Sequence, residues 1–221
     1  MRLIIYDVEV FAFDWIVVFK DVESGVHTVI HNDSEALREC IFEDGIYVGF
    51  NSKHYDQFII KAAVCDFSPQ EIKTLNDFLI GGGRGWEYAP LKEFYFRFNN
   101  VDIRDDVQLG LSLKAIEGHM GMDIQETEVS FDLDRPLTED ELRQTVYYCT
   151  HDVDATHELM KLRADYLKTK KNLGKRAGID EAKSLAATNA KLTAMMLRAE
   201  RKEWNDGREY VYPENLDTAV I

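Results

Sequence analysis

Three short segments rich in β-branched and aromatic residues crowd the first 31 positions and leave the chain few ways to begin a fold. Residues 3–8, 13–19 and about 25–31 read as strands, the third following a turn-like stretch from Asp21 to Gly25. Strands this close in sequence pair antiparallel, because a parallel partner requires a long crossover. The pattern then changes. A short helix at about 34–42 leads to a strand at 46–50, and residues 56–65 carry Phe58, Ile59, Ala62 and Ala63 at helical spacing. A meander followed by strand-to-helix crossovers predicts an α/β fold, a mixed sheet flanked by helices.

Later elements are marked by their ends. Ser68-Pro69-Gln70-Glu71 is a capping box with proline at the first helical position. Thr138-Glu139-Asp140-Glu141 is a second, opening the longest helical pattern, 138–171. Between them, 101–107 reads as a fifth strand and 112–120 as a short helix. Gly81-Gly82-Gly83-Arg84-Gly85 lacks the Gly-Lys-Ser/Thr ending of a phosphate loop and reads as a flexible connection. Residues 172–179 read as a loop and 180–203 as a final helix, with Pro213, Glu214 and Asn215 in a linker or tail. Two units are expected: 1–171, and a helical extension or linker over 172–221.

Composition narrows the function. Twelve Phe, ten Tyr and three Trp in 221 residues supply a core and argue against disorder. The formal charge of −14 disfavours a protein that coats duplexes by neutralising phosphates, although 161–176 carries seven basic residues against Asp165 alone. A solvated helix face explains that run as readily as a nucleic-acid contact. Bound divalent cations would let an acidic protein act on nucleic acid. No apolar run approaches the roughly 20 residues of a membrane span. Two early carboxylates do not suit a signal peptide, and Cys40, Cys65 and Cys149 form no C-x-x-C pair. A cytoplasmic protein with reduced thiols is the expectation.

The chemistry lies in acids. Asp7 and Glu9 are two apart on the first strand, so they share a face. The apolar Leu3-Ile4-Ile5 before them predicts a central strand, where paired carboxylates without a cation are costly. Asn51-Ser52-Lys53-His54-Tyr55-Asp56 opens a helix after a strand, and Asp56 by itself would serve as a helix cap. Tyr148 and Asp152 lie four apart on one helical face. Asp154, about 200° from Asp152 around that helix, points elsewhere. Asp102, Asp105 and Asp106 read as strand-end or surface acids. His54, His119 and His157 have no metal-ligand spacing.

In this order the three elements resemble the motifs of the DEDD superfamily of 3′–5′ exonucleases. Asp7-Val8-Glu9 matches the first, Asn51 to Asp56 the second with one extra residue before Tyr55-Asp56, and Tyr148 to Asp152 the third. Five residues after His151 stands Thr156, so the third motif is of the tyrosine type rather than the histidine type. Residues 7–19 and Ser112-Leu113-Lys114 are similar to the exonuclease domain of phage-type DNA polymerases. Thr188-Asn189-Ala190-Lys191-Leu192 resembles the stretch that joins such a domain to its polymerase.

The resemblance implies a ribonuclease H-like domain with a mixed five-stranded sheet and a C-terminal helical extension. It implies two divalent ions, Mg²⁺ or Mn²⁺, with Asp7 bridging both, Glu9 and Asp152 on the water-activating ion and Asp56 on the second. Tyr148 would orient the attacking water. Val10, Phe11 and Asn51 would contact substrate, with core packing the other reading of Phe11. The implied partners are a single-stranded DNA 3′ end and a DNA polymerase domain or subunit, in the host cytoplasm if the chain is phage-encoded. About fifty residues after 170 are too few for a polymerase. An RNA 3′-trimming exonuclease and a non-catalytic nucleic-acid-binding module are the alternatives.

Overall fold

The structure is a computed structural model that describes residues 2–41, 44–105, 107 and 111–200. β1 (Leu3–Val10), β2 (Trp15–Asp21) and β3 (His27–His31) form the expected antiparallel meander. β4 (Ile46–Gly49) pairs parallel to β1, and β5 (Asn100–Asp102) parallel to β4. The sheet order is β3-β2-β1-β4-β5, a mixed five-stranded sheet of ribonuclease H-like arrangement. β1 is central, and helices cover both its faces, so its apolar side chains are buried on both. Ile4, Tyr6, Val8 and Val10 meet α2 (Asp56–Val64) and α3 (Pro69–Ile80) through Ile59, Ile60, Ile72 and Leu75. Ile5, Ile16 and Val18 meet α5 (Glu139–Leu162) through Cys149, Val153 and Met160.

α1 (Ser34–Cys40) links β3 to β4, and α4 (Leu113–Met120) precedes α5. Both capping boxes form as the sequence predicts, at Ser68 with Glu71 and at Thr138 with Glu141. The glycine-rich connection carries the chain from α3 into two short 3-10 turns, Gly85–Glu87 and Ala89–Leu91.

Three predicted elements have different bounds. The strand expected over 101–107 ends at Asp102, whose side chain takes backbone N–H groups and turns the chain. The helix expected over 138–171 breaks at Arg163, whose guanidinium reaches across to donate to the carbonyls of Ile103 at 2.5 Å and Asp105 at 3.2 Å. α6 (Ala164–Arg176) then runs on through the expected loop at 172–179, so the expected boundary after 171 falls inside a helix. The helix expected over 180–203 divides into α7 (Glu181–Ala186) and α8 (Asn189–Met196). The break is held by Lys170, buried under it, whose ammonium donates to the carbonyls of Leu185 at 3.0 Å and Ala187 at 2.5 Å. Thr188 caps α8. Positions 201–203, Pro213, Glu214, Asn215 and Asp106 lie outside the described residues.

A close approach fastens α7 to α6. A methyl group on Gly174 would lie 1.7 Å from Ser184 Oγ, so only glycine fits there. Two members of the basic run serve the fold and two more make surface ion pairs. Arg163 and Lys170 turn inward, Lys161 pairs with Glu158 and Lys171 with Glu181. Among the described residues, no helix is long and apolar enough to cross a membrane.

Candidate active site

The carboxyl ends of parallel strands are where open α/β sheets place their ligand crevices. β1 and β4 end beside a cleft of about 350 Å³ lined by Asp7, Glu9, Asn51, Asp56, Arg104 and Asp152. Asp7 and Glu9 reach it because strand alternation sends them to the α5 face while Val8 and Val10 enter the opposite core. Their backbone partners across β2 are Val18 and Ile16. Asp56 is the first residue of α2, not its cap: Tyr55 holds the cap position and caps with no side-chain bond.

The loop before α2 is built around Asp102. Its carboxylate accepts the N–H of Asn51 at 2.9 Å, of Lys53 at 3.1 Å and of Arg104 at 2.9 Å. Asn51 sits in the left-handed region, φ 61°, and its side-chain oxygen accepts from Arg104 at 2.6 Å. Asp102 is a strand-end acid as expected, yet it is buried and shapes the loop that presents Asp56. Lys53 ties the same loop to Asp105 and to the carbonyl of Ala186 at the end of α7.

α5 supplies Tyr148, Cys149 and Asp152. Cys149 is fully buried, and its thiol donates to Asp7 Oδ2 at 3.5 Å. Burial and the nearby Asp7 push this thiol up, so it remains protonated and serves as a donor. Asp154 turns away from the cleft, as the helical angle requires, and binds Lys20 at 2.6 Å and His27 at 2.9 Å. Burial opposes its ionisation, but these two donors outweigh it and hold its carboxyl below the usual value.

Asp7, Glu9 and Asp56 are unfavourable as anions. Burial, then the charge of Asp152, raises the Asp7 carboxyl to about 7. Burial and the Asp7 charge also push Glu9 and Asp56 well above the ordinary range. These three, with the Asp152 carboxylate beside them, suit a bound cation, and hard oxygen donors of this kind fit Mg²⁺ or Mn²⁺. The geometry divides them further. Asp7 and Glu9, with Cys149, have ligand atoms within 4.8 Å of one another, and so do Asp152, His151 and Glu117. Asp56 faces the cleft but belongs to neither group. Asp152 is drawn to its own group by Lys114, whose ammonium bonds to Asp152 Oδ1.

Lys114 and Glu117 also belong to the site, although the sequence reading named Lys114 only within Ser112-Leu113-Lys114, with no role at the site, and did not name Glu117. Ser112 caps α4 with a bond from the Ala115 N–H at 3.2 Å, which sets Lys114 and Glu117 one turn apart on a shared face. The Lys-x-x-Glu spacing was visible, but nothing local says that the pair is turned inward. Tyr148 is half-buried beside Lys114, whose ammonium lies 4.7 Å from the ring centroid. Burial and the Asp152 and Glu9 charges push the Tyr148 phenol far up, so it stays protonated.

The residues expected to touch substrate are placed differently. Asn51 lines the cleft. Val10 is in the core and borders an adjoining cavity of about 370 Å³ that shares Glu9 and Tyr55 with it. Phe11 has no exposed surface. Its ring stacks on Phe131 at 4.9 Å between centroids, so the core reading is the one realised, and Phe131 presents the accessible ring.

No family model matches the chain, and no curated protein matches it either. The chain itself defines an α/β protein with a ribonuclease H-like sheet and an acidic cleft at the carboxyl ends of β1 and β4.

Proposed function

We propose that the protein is a metal-dependent 3′–5′ exonuclease that removes nucleoside 5′-monophosphates from single-stranded DNA ends. The observation that carries this reading is the meeting of Asp7, Glu9, Asp56 and Asp152, from three distant segments, around one cleft with Tyr148 a turn from Asp152. Acids that repel one another so strongly have a use only where positive charge is bound.

Asp7, Glu9 and Asp152 would hold one divalent ion, and Asp7 with Asp56 a second. When bound, such ions lower the pKa of water towards neutrality and offset charge on attacking and leaving oxygens. The protein's own groups do the rest. Tyr148, protonated at neutral pH, positions water by hydrogen bonding and does not act as the base. Arg104, fixed by Asn51, offers positive charge at the rim to an incoming phosphate. The water oxygen attacks phosphorus, the P–O3′ bond breaks, and the shortened strand leaves with a 3′-hydroxyl.

The expected setting is proofreading, with the 3′ end delivered by a DNA polymerase domain or subunit, in keeping with the resemblance of residues 7–19 and 112–114. The deciding experiment is digestion of 5′-labelled single- and double-stranded DNA and RNA with Mg²⁺, Mn²⁺ or chelator. A metal-dependent ladder shortening from the 3′ end, lost in Asp7→Ala, is the expected result. RNA consumed in preference to DNA would select the trimming function. No shortening of any substrate, or equal shortening by Asp7→Ala, would overturn the reading.

A further inference from the structure

Besides Arg104 in its lining, the acidic cleft has a second cation directly behind Asp152. Lys114 Nζ bonds to Asp152 Oδ1, lies 3.4 Å from Glu117 Oε1, and sits over the Tyr148 ring. Glu117 has no exposed surface, and its second oxygen has no hydrogen-bond partner. A carboxylate so buried needs a nearby positive charge, and Lys114 is the cation within reach. His151 Nδ1, 4.0 Å from Glu117 and 3.9 Å from Asp152, completes the surroundings.

We infer that Lys114, anchored from beneath by Glu117, is a positioning residue that holds Asp152 and Tyr148 in place and competes with a divalent ion for the Asp152 carboxylate. The inference rests on the proposed exonuclease reading for its catalytic half. Its binding half rests on the contacts alone. Asp152 cannot give the same oxygen fully to an ammonium and to a metal ion, so the two cations exclude one another there. Once Asp152 is released, Lys114 still has Glu117 and the Tyr148 ring. Its charge then remains beside the cleft where a phosphate would lie.

Two consequences of opposite sign follow. Removing the ammonium should tighten metal binding, because the competitor is gone. It should also slow turnover, because Asp152 and Tyr148 lose their support. A residue that only stabilises the fold would weaken both.

The test is Mn²⁺ titration of the full chain, followed by the paramagnetic resonance of free Mn²⁺, in wild type, Lys114→Met and Lys114→Arg. Lys114→Met should bind Mn²⁺ about tenfold more tightly, the size of one charged hydrogen bond. Its kcat on single-stranded DNA should fall roughly ten- to a hundredfold with KM little changed. Lys114→Arg, which keeps the charge, should stay near wild type in Mn²⁺ affinity and recover part of kcat. Lys114→Met leaves Glu117 buried without its cation, at a cost to folding. The double variant K114M/E117Q removes both charges and should show the same roughly ten- to hundredfold fall in kcat relative to wild type. Folded variants with unchanged or weaker Mn²⁺ affinity in Lys114→Met, or wild-type kcat in either Met variant, would overturn the inference. If wild type itself digests no nucleic acid, the exonuclease reading falls while the Mn²⁺ comparison still decides the competition.

Discussion

The backbone N–H of Asn51 donates to the carboxylate of Asp102 at 2.9 Å, joining the loop after β4 to the end of β5. Lys53 and Arg104 donate to the same carboxylate, so one buried acid holds three backbone groups. Asp102→Ala leaves those N–H groups without their acceptor and should cost about 2–4 kcal/mol. Urea unfolding measures this directly. A loss below 0.5 kcal/mol would show that the loop does not depend on Asp102. Asp102→Asn, which keeps an acceptor oxygen, should fall between.

Asp7 should make stability fall with pH in the absence of metal. Its carboxyl titrates near 7 in the folded protein against about 4 when unfolded. Between those values the folded state keeps a proton that the unfolded chain releases, so this group's contribution declines as pH rises from about 4 to 7. Asp7→Asn removes the effect. In chelator, the melting temperature of Asp7→Asn relative to wild type should rise by several degrees between pH 4.5 and 8. Mn²⁺ at pH 8 should stabilise wild type more than the variant. A constant difference across that range would rule out the shifted carboxyl.

Asp152 and Asp154 differ by two positions and should differ completely in effect. Asp152 faces the cleft, whereas Asp154 is tied to Lys20 and His27. Asp152→Ala should lower nuclease activity roughly a hundredfold or more. Asp154→Ala should keep most activity and lose at most about 1 kcal/mol, since its carboxylate is partly exposed. Comparable losses in both variants would contradict the helix orientation.

Gly174→Ala should loosen the C-terminal helices. The added methyl meets Ser184 and forces α6 and α7 apart, at about 1–3 kcal/mol. Lys53 bonds the loop before α2 to the carbonyl of Ala186, so the displacement should also be felt there. The pair G174A/S184G, which makes room for the methyl, should recover much of the loss in thermal melts. Failure to recover would point to a cause other than this contact.

Much of the fold was legible along the chain because its signals act over short distances. Alternation on β1 put Asp7 and Glu9 on one face, and the four-residue step on α5 chose Asp152 over Asp154. Two capping boxes marked the starts of α3 and α5. Helix ends were harder to read. Nothing near Arg163 signals a break, because the carbonyls that draw its side chain belong to Ile103 and Asp105, about sixty residues earlier.

The amino-acid sequence alone determined the order of elements, the central apolar strand and the acids it carries, since backbone geometry fixes side-chain direction residue by residue. Tertiary structure alone decided that Asp102 would organise a loop and that Phe11 would lie hidden beneath Phe131. It also decided that Lys114 and Glu117 would gather beside Asp152. Those outcomes depend on partners brought together only by folding, and burial then sets the cost of every charge left without one.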